Sequence, residues 1–425
     1  MPQYKNIILY IGPCTSANIL AVRDLENHLK RKFRVAFLVR KNSKGPSRDL
    51  AKQCDYVLRV DLKNMKQVEK ALMPIREKVA AVSCRAVFYM PLYAKLISLF
   101  PQLEMPTRDS IEWCSNKLTM RRKFLWNFPE ISPKYTLAFG ATMDDVARVK
   151  RRVGFPCIVK PASLSSSRFV SICYDEEELQ ATLRRTFRGI KSAYKKLNAL
   201  VEPEIIVEQF MEGEMYSIDG YVDRKGHVKQ LRPVYVKTAQ DIGVDDFYGY
   251  RHLTPWKLSE AQEKMAYEVG QKAVTALGLR NVTVHMEFKR DDAGWKVLEI
   301  DARMGGHRDF LYRESFGILH GMNDLLIRMG ERPVIRNKQK TFAVSFNIFA
   351  HKTGIIKSIK GLKKVRGLQS LKELIIVKKV GDRVGLSKDG FKKVLDISMS
   401  NKFKEKLMSD MRKMEKAIKI EVGRK

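Results

Sequence analysis

Two apolar runs, 284–288 (VHMEF) and 297–301 (VLEID), flank the tetrapeptide Asp291-Asp292-Ala293-Gly294, and each run carries a glutamate near its centre. Runs of this length around an Asp/Gly turn predict a β-hairpin. If the loop is Asp292-Ala293-Gly294 with Gly294 left-handed, Asp291 faces Trp295 and Glu287 lies across from Glu299. Alternation then puts Asp301 on the same face. Opposed Cβ atoms are about 4.5–5.5 Å apart, and facing like charges destabilise a sheet. The arrangement is tolerable if the carboxylates are solvated, share a proton or hold a cation. Three oxygen ligands on one face suit Mg2+, which combines carboxylates with phosphate oxygens and water.

The chain has 425 residues, enough for two or three domains. Residues 6–11, 34–39 and 56–60 read as strands, with helices at 17–30 (Ile19, Val22, Leu25, Leu29 at helical spacing) and 64–73. This βαβαβ order predicts a parallel sheet covered by helices. It carries no GxGxxG, so nothing specific supports a dinucleotide there. From about 108 the texture changes. A helix is expected at 110–126, a short strand at 158–160, a basic helix at 176–196, strands at 205–208 and 216–222, and a helix at 258–277. The segment 237–256, rich in Gly, Asp and Tyr, reads as a mobile loop on the substrate side. From 331 a third region shows strands at 342–349 and 373–377 and a basic helix at 402–418.

Lys and Arg number 80 against 47 Asp and Glu, a net charge of +33; the last 95 residues hold 26 and 9 of these. Such a field attracts anions: nucleotides, phosphorylated substrates, nucleic acid or anionic lipid. The cations are scattered through helices and strands, as on an ordinary basic surface. No aromatic-interleaved basic patch, zinc spacing or helix-turn-helix signature supports a nucleic-acid partner. No apolar run is long enough to span a membrane. Six cysteines without CxxC spacing, and a start that lacks a cleavage site, lead us to expect a cytoplasmic protein with reduced thiols.

Two further segments bear on the acidic hairpin. FPCIVKPASLSSSRFV places Lys160 at the end of a buried strand, before a small-residue loop. A lysine there can reach phosphates, and backbone N–H groups of the loop can close over them. EIIVEQFMEGEMYSIDG places Glu208 at a strand end, where free backbone groups can pair with an adenine edge, with acids nearby for ribose hydroxyls.

Taken in order, SNKLTMRRKF, FPCIVKPASLSSSRFV, VEQFMEGEMYSIDG and VHMEFKR with VLEIDARMGG resemble the ATP-grasp superfamily over about residues 108–330. The C-terminal FAVSFNIFAHKTGIIKSIKGLKKV resembles the tail of biotin-carboxylase-like members and of amino-acid ligases. The resemblance implies a mixed α/β and α+β chain. It divides into an N-terminal parallel α/β domain (1–107), an ATP-grasp domain (108–330, lid about 131–207) and a small basic α+β domain (331–425). It implies ATP with Mg2+ or Mn2+. Lys117 and Lys160 match the phosphate lysines, with Ser165 and Ser166 in the phosphate loop. Glu208, Gln209 and Met211 match the adenine hinge, and Glu214 the ribose acid, one position early. Glu287 and Glu299 match the metal glutamates, with Asp301 where Asn is usual. Arg303 matches the arginine at the transferred phosphate. His307 and Arg308, after the glycine pair, are expected as a base or substrate contact and as a carboxylate grip. The loop after Lys160, usually glycine-rich, is SLSSS.

The implied activity is carboxylate–amine ligation through an acyl phosphate, on small-molecule acids and amines such as amino acids. Alternatives are a biotin-carboxylase-like or purine-synthesis enzyme, a basic nucleic-acid-binding protein, or a nucleotide-binding scaffold.

Overall fold

In a computed structural model of the chain, residues 5–423 are described, apart from 44, 165–166, 198–200, 257, 293 and 337. Strand Ile7–Ile11 is buried at every residue, as befits the interior of a parallel sheet covered on both faces. The sheet runs Tyr56–Val60, Arg34–Arg40, Ile7–Ile11, Val79–Cys84, all parallel. The expected βαβαβ order is therefore present, with Val79–Cys84 added beside the first strand. Thr15 and Asn64 cap the helices Ser16–Leu29 and Met65–Leu72 by accepting backbone N–H groups.

The single helix expected at 110–126 is two: Arg108–Cys114 and Lys117–Asn127. Asn116 breaks it. Its backbone is extended and its side chain accepts from the N–H groups of Leu118 and Thr119. A short amide at such a point caps a new helix in preference to continuing the old one. The Lys117 N–H donates to Ala162 O at 2.8 Å, so the second helix starts against the end of strand Cys157–Pro161.

A small antiparallel sheet follows, in the order Tyr135–Ala138, Ile205–Gln209, Cys157–Pro161, Ser171–Cys173. Helices Met143–Arg152 and Glu176–Leu197 cover it through Val146, Val149, Leu179 and Leu183.

The largest element is a nine-stranded antiparallel sheet. Its path is Gly294–Asp301, Val282–Asp291, Glu214–Val222, Val234–Thr238, Gly249–Thr254, Phe342–Ile348, Leu395–Asn401, Leu371–Ile376, with Val228–Gln230 alongside Glu214–Val222. Two features differ from the sequence reading. Segment 237–256 is no loose loop: it holds all of strand Gly249–Thr254 and the end of Val234–Thr238. Its connection is pinned because Ala239, Val244 and Tyr248 are buried with Phe349. Second, the sheet passes through position 330 without a break, since Phe342–Ile348 pairs with Gly249–Thr254. No helix among the described residues is long and apolar enough to cross a membrane.

Candidate active site

A cavity of about 730 Å3 opens where the small sheet, the acidic hairpin and segments after 330 meet. Its size suits a small-molecule ligand. The hairpin forms one wall. Its register begins with Asp291 opposite Gly294 and Arg290 opposite Trp295, one residue out from the expected pairing. A bulge beside Glu287 and Phe288 then shifts the ladder, so that Glu287 still faces Glu299 and His285 faces Asp301.

Each carboxylate meets a cation. Lys117 Nζ is 2.8 Å from Glu299, Arg303 Nη2 is 2.5 Å from Asp301, and His285 Nε2 is 3.4 Å from Glu287. These contacts relieve the like-charge pairing. They also correct the expectation of a three-carboxylate metal set. Among the described residues, no group of three or more His, Cys, Asp or Glu is disposed to hold a metal ion. Glu287 and Glu299 remain a facing pair of oxygen donors. Such a pair fits a hard cation that draws its other ligands from a bound phosphate and water.

The surroundings set the charge states. Burial works against the Lys117 ammonium, but Glu299 outweighs it and the pKa is raised. Burial pushes the Asp301 carboxyl up, opposed by Arg303. Burial would also discharge His285, yet Asp219 outweighs it and lifts the pKa to about 9. Asp219 lies under the hairpin, fully buried. It is 2.6 Å from His285 Nδ1 and 2.9 Å from His320 Nε2, and accepts the Gly305 N–H at 2.8 Å.

The opposite wall comes from the small sheet. Lys160 Nζ is 2.7 Å from Glu208, and Arg121 grips both Glu208 oxygens at 2.9 and 3.2 Å. Burial alone would raise the Glu208 pKa; Arg121 and Lys160 hold it at about 2. The Glu208 carboxylate is thus an internal counter-ion, while Gln209, Phe210 and Met211 line the cavity beside it. Glu214 is not among the lining residues. It accepts from Tyr216 Oη at 2.8 Å and pairs with Arg290 at 3.2 Å, and Met215 faces the cavity in its place. Ser165 and Ser166 lie outside the described residues; Leu164 and Ser167 beside them line the cavity, and Leu164 O accepts from Lys117 Nζ at 3.1 Å.

At the third side, His307 precedes helix Arg308–Phe316 with φ of 61°, and its Nε2 is 3.0 Å from Asn347 Oδ1. Burial lowers its pKa, with Lys393 adding to the effect against Asp396. Arg308 is buried, and its guanidinium bonds Gly306 O (3.0 Å), Ser217 Oγ (2.5 Å) and His252 Nδ1 (3.2 Å). It is built into the wall, which differs from the free carboxylate grip expected of it. Arg303 donates to Met304 O as well as to Asp301.

Sequence reasoning missed Arg121, Asp219, His252, His285, Asn347 and Lys393. Two left a signal: Arg121 stands four residues after Lys117 on one helix face, and His285 alternates with Glu287 on one strand face. The others become neighbours only through the nine-stranded sheet.

Residues 153–309 match the ATP-grasp domain family. An uncharacterized Sinorhizobium fredii protein, y4rH, is 26% identical over 75% of this chain and 63% of its own length. The alanine–anticapsin ligase of Bacillus subtilis is 32% identical over 35% of this chain and 33% of its length. The chain therefore spans less than two thirds of each of these relatives. Among solved structures, an L-amino acid ligase from Bacillus licheniformis superposes with a TM-score of 0.81 at 19% identity, covering 99% of both chains. N5-carboxyaminoimidazole ribonucleotide synthetase from Thermotoga maritima gives 0.69 at 16% identity, covering 98% of this chain and 100% of that one. Residues 153–309 thus match an ATP-grasp domain, and the whole chain shares the fold of these solved structures.

Proposed function

We propose that the chain is an ATP-dependent carboxylate–amine ligase that joins two small molecules, amino acids among them, with release of ADP and phosphate. The observation that carries this reading is one cavity holding Lys160 on one wall and the Lys117–Glu299 pair facing Glu287 on the other. The likeness to L-amino acid ligase and to alanine–anticapsin ligase supports it.

In this reading the N-terminal domain ends near 107, the nine-stranded sheet carries the rest of the chain through 330, and the small sheet with its helices (about 131–207) closes over the nucleotide. Gln209 and Met211 offer backbone to the adenine, and Met215 packs beside the ribose. Glu287 and Glu299 hold Mg2+, which offsets phosphate charge. Lys117, Lys160 and Arg303 position the phosphates and stabilise charge as it moves. A substrate carboxylate oxygen attacks the γ-phosphorus, and the bond to ADP breaks. An amine then attacks the acyl carbon of the acyl phosphate, phosphate leaves, and the amine gives up a proton. His307, whose pKa is lowered by burial, serves as the base on the substrate side. Closure excludes water that would hydrolyse the acyl phosphate.

The test is ADP release from Mg-ATP with pooled amino acids, comparing wild type with Glu299→Ala. Turnover that needs particular amino acids and disappears in the variant is expected. Turnover with bicarbonate alone would place the chain with carboxylating members instead. ATP binding without turnover in any pool would refute the ligase reading.

A further inference from the structure

The cavity holds more positive charge than its acids balance. Its four acidic lining residues are already matched: Glu208 by Arg121 and Lys160, Glu287 by His285, Glu299 by Lys117 and Asp301 by Arg303. Arg168 and Lys392 also line it, and neither side chain has an ion pair or hydrogen bond among the described residues. Arg168 is half-buried with the Phe88 ring 5.9 Å away, and burial pushes its pKa down. Lys393 joins them, anchored by Asn347 at 2.8 Å and by Asp396.

These three cations come from two distant stretches that are fastened together. The Phe169 N–H donates to Lys388 O at 3.0 Å, and the Lys388 N–H donates to Asp246 at 3.1 Å. The Arg168 guanidinium lies beside Gly390. Residues 167–169 and the segment 386–393 therefore present one cationic rim to the cavity. A half-buried cation without a counter-ion is unfavourable unless a ligand supplies one.

We propose that one of the two substrates carries, in addition to the α-amino and α-carboxyl groups of an ordinary amino acid, an anionic side-chain group, a carboxylate or a phosphate, which Arg168, Lys392 and Lys393 receive. This rests on the ligase reading above. The shared chemistry is a small anion on an acid or an amine partner; acidic or phosphorylated amino acids have it.

The test measures ADP release with glutamate against glutamine, near-isosteres that differ in charge, and with phosphoserine against serine, each beside a neutral amino acid. Fragmentation of the product by mass spectrometry shows whether the anionic partner entered as acid or amine. We expect kcat/KM for the anionic member of a pair to exceed the neutral one by about tenfold or more. Lys392→Glu, on an exposed side chain, should reduce that advantage to about threefold or less through KM for the substrate. Lys66→Glu, the same charge change outside the cavity, should leave it intact. Equal rates for both members would overturn the proposal. So would a Lys392→Glu effect confined to KM for ATP, which would assign the rim to the nucleotide. Release with neutral pairs only refutes this inference and spares the ligase reading; release with no pair refutes both.

Discussion

Arg121 is fully buried and makes three bonds: to both oxygens of Glu208 and, at 2.6 Å, to Leu298 O. Arg121→Met keeps most of the volume and removes the charge. Glu208 is then left with Lys160 alone. Breaking a buried pair by removing one partner costs about 3–5 kcal/mol, and the remaining lysine puts the expectation at the lower end, about 3 kcal/mol. A second route gives a similar size for the two cations together. The Glu208 carboxyl is held at about 2 from an ordinary 4.5, and each unit corresponds to about 1.4 kcal/mol. Because the folded value lies below the unfolded one, this stability is present in full above about pH 5 and is lost as pH falls toward 2. A chain of this size is unsuited to one global unfolding constant, so hydrogen exchange in strand Ile205–Gln209 is the better readout. At neutral pH the variant should open about a hundredfold more often than wild type, and the gap should narrow below about pH 4. The KM for ATP should rise too, since Glu208 would hold Lys160 more firmly. A loss under about 1 kcal/mol, or a gap indifferent to acid, would refute the reasoning.

Three further outcomes follow from local geometry. A Cβ on Gly305 would stand 2.4 Å from His285 Nδ1, while one on Gly306 would meet nothing within 4 Å. Gly305→Ala should therefore lower the thermal midpoint by several degrees and Gly306→Ala should not; equal shifts would contradict the packing. Asn116→Ala removes the cap that starts helix Lys117–Asn127 and the bond to Glu204 at 2.8 Å. It should cost about 1 kcal/mol, read as about fivefold faster hydrogen exchange in that helix, and a neutral result would show that packing alone places Lys117. Asp324 accepts from Ser83 at 2.7 Å and Arg328 at 3.0 Å, and these neighbours with Arg85 hold its pKa at about 2 against burial. Asp324→Asn should speed exchange in strand Val79–Cys84 at pH 7, an effect that fades as acid protonates the wild-type carboxyl.

Much of the fold was legible because its signals are local. Apolar strand runs and apolar residues at helical spacing announced the parallel sheet, and the Asp/Gly turn announced the hairpin. The facing of Glu287 and Glu299 was anticipated through a different loop and without the bulge, so two one-residue errors cancelled. Lys117 and Lys160 were singled out from sequence and share the cavity, but their partners were not foreseen. Glu208 looked like a ligand contact and is a counter-ion, because Arg121 reaches it from another element. Lys392 and Lys393 could not be picked from the 26 cations after residue 330, since nothing in composition marks the two that reach the cavity. Sites assembled across a sheet of non-sequential strands leave no periodic trace.

The passage of the nine-stranded sheet through position 330 has a consequence during synthesis. Strand Gly249–Thr254 leaves the ribosome about a hundred residues before its partner Phe342–Ile348, an interval of about 5–20 s at ordinary elongation rates. For that time its outer edge is open to any other chain with a free strand. The acidic hairpin can close early, from contacts near in sequence, whereas the cavity wall holding Asn347 and Lys393 is completed only when the late strands dock. The nascent protein thus has its facing carboxylates, Glu287 and Glu299, in place well before it has the far side of the cavity.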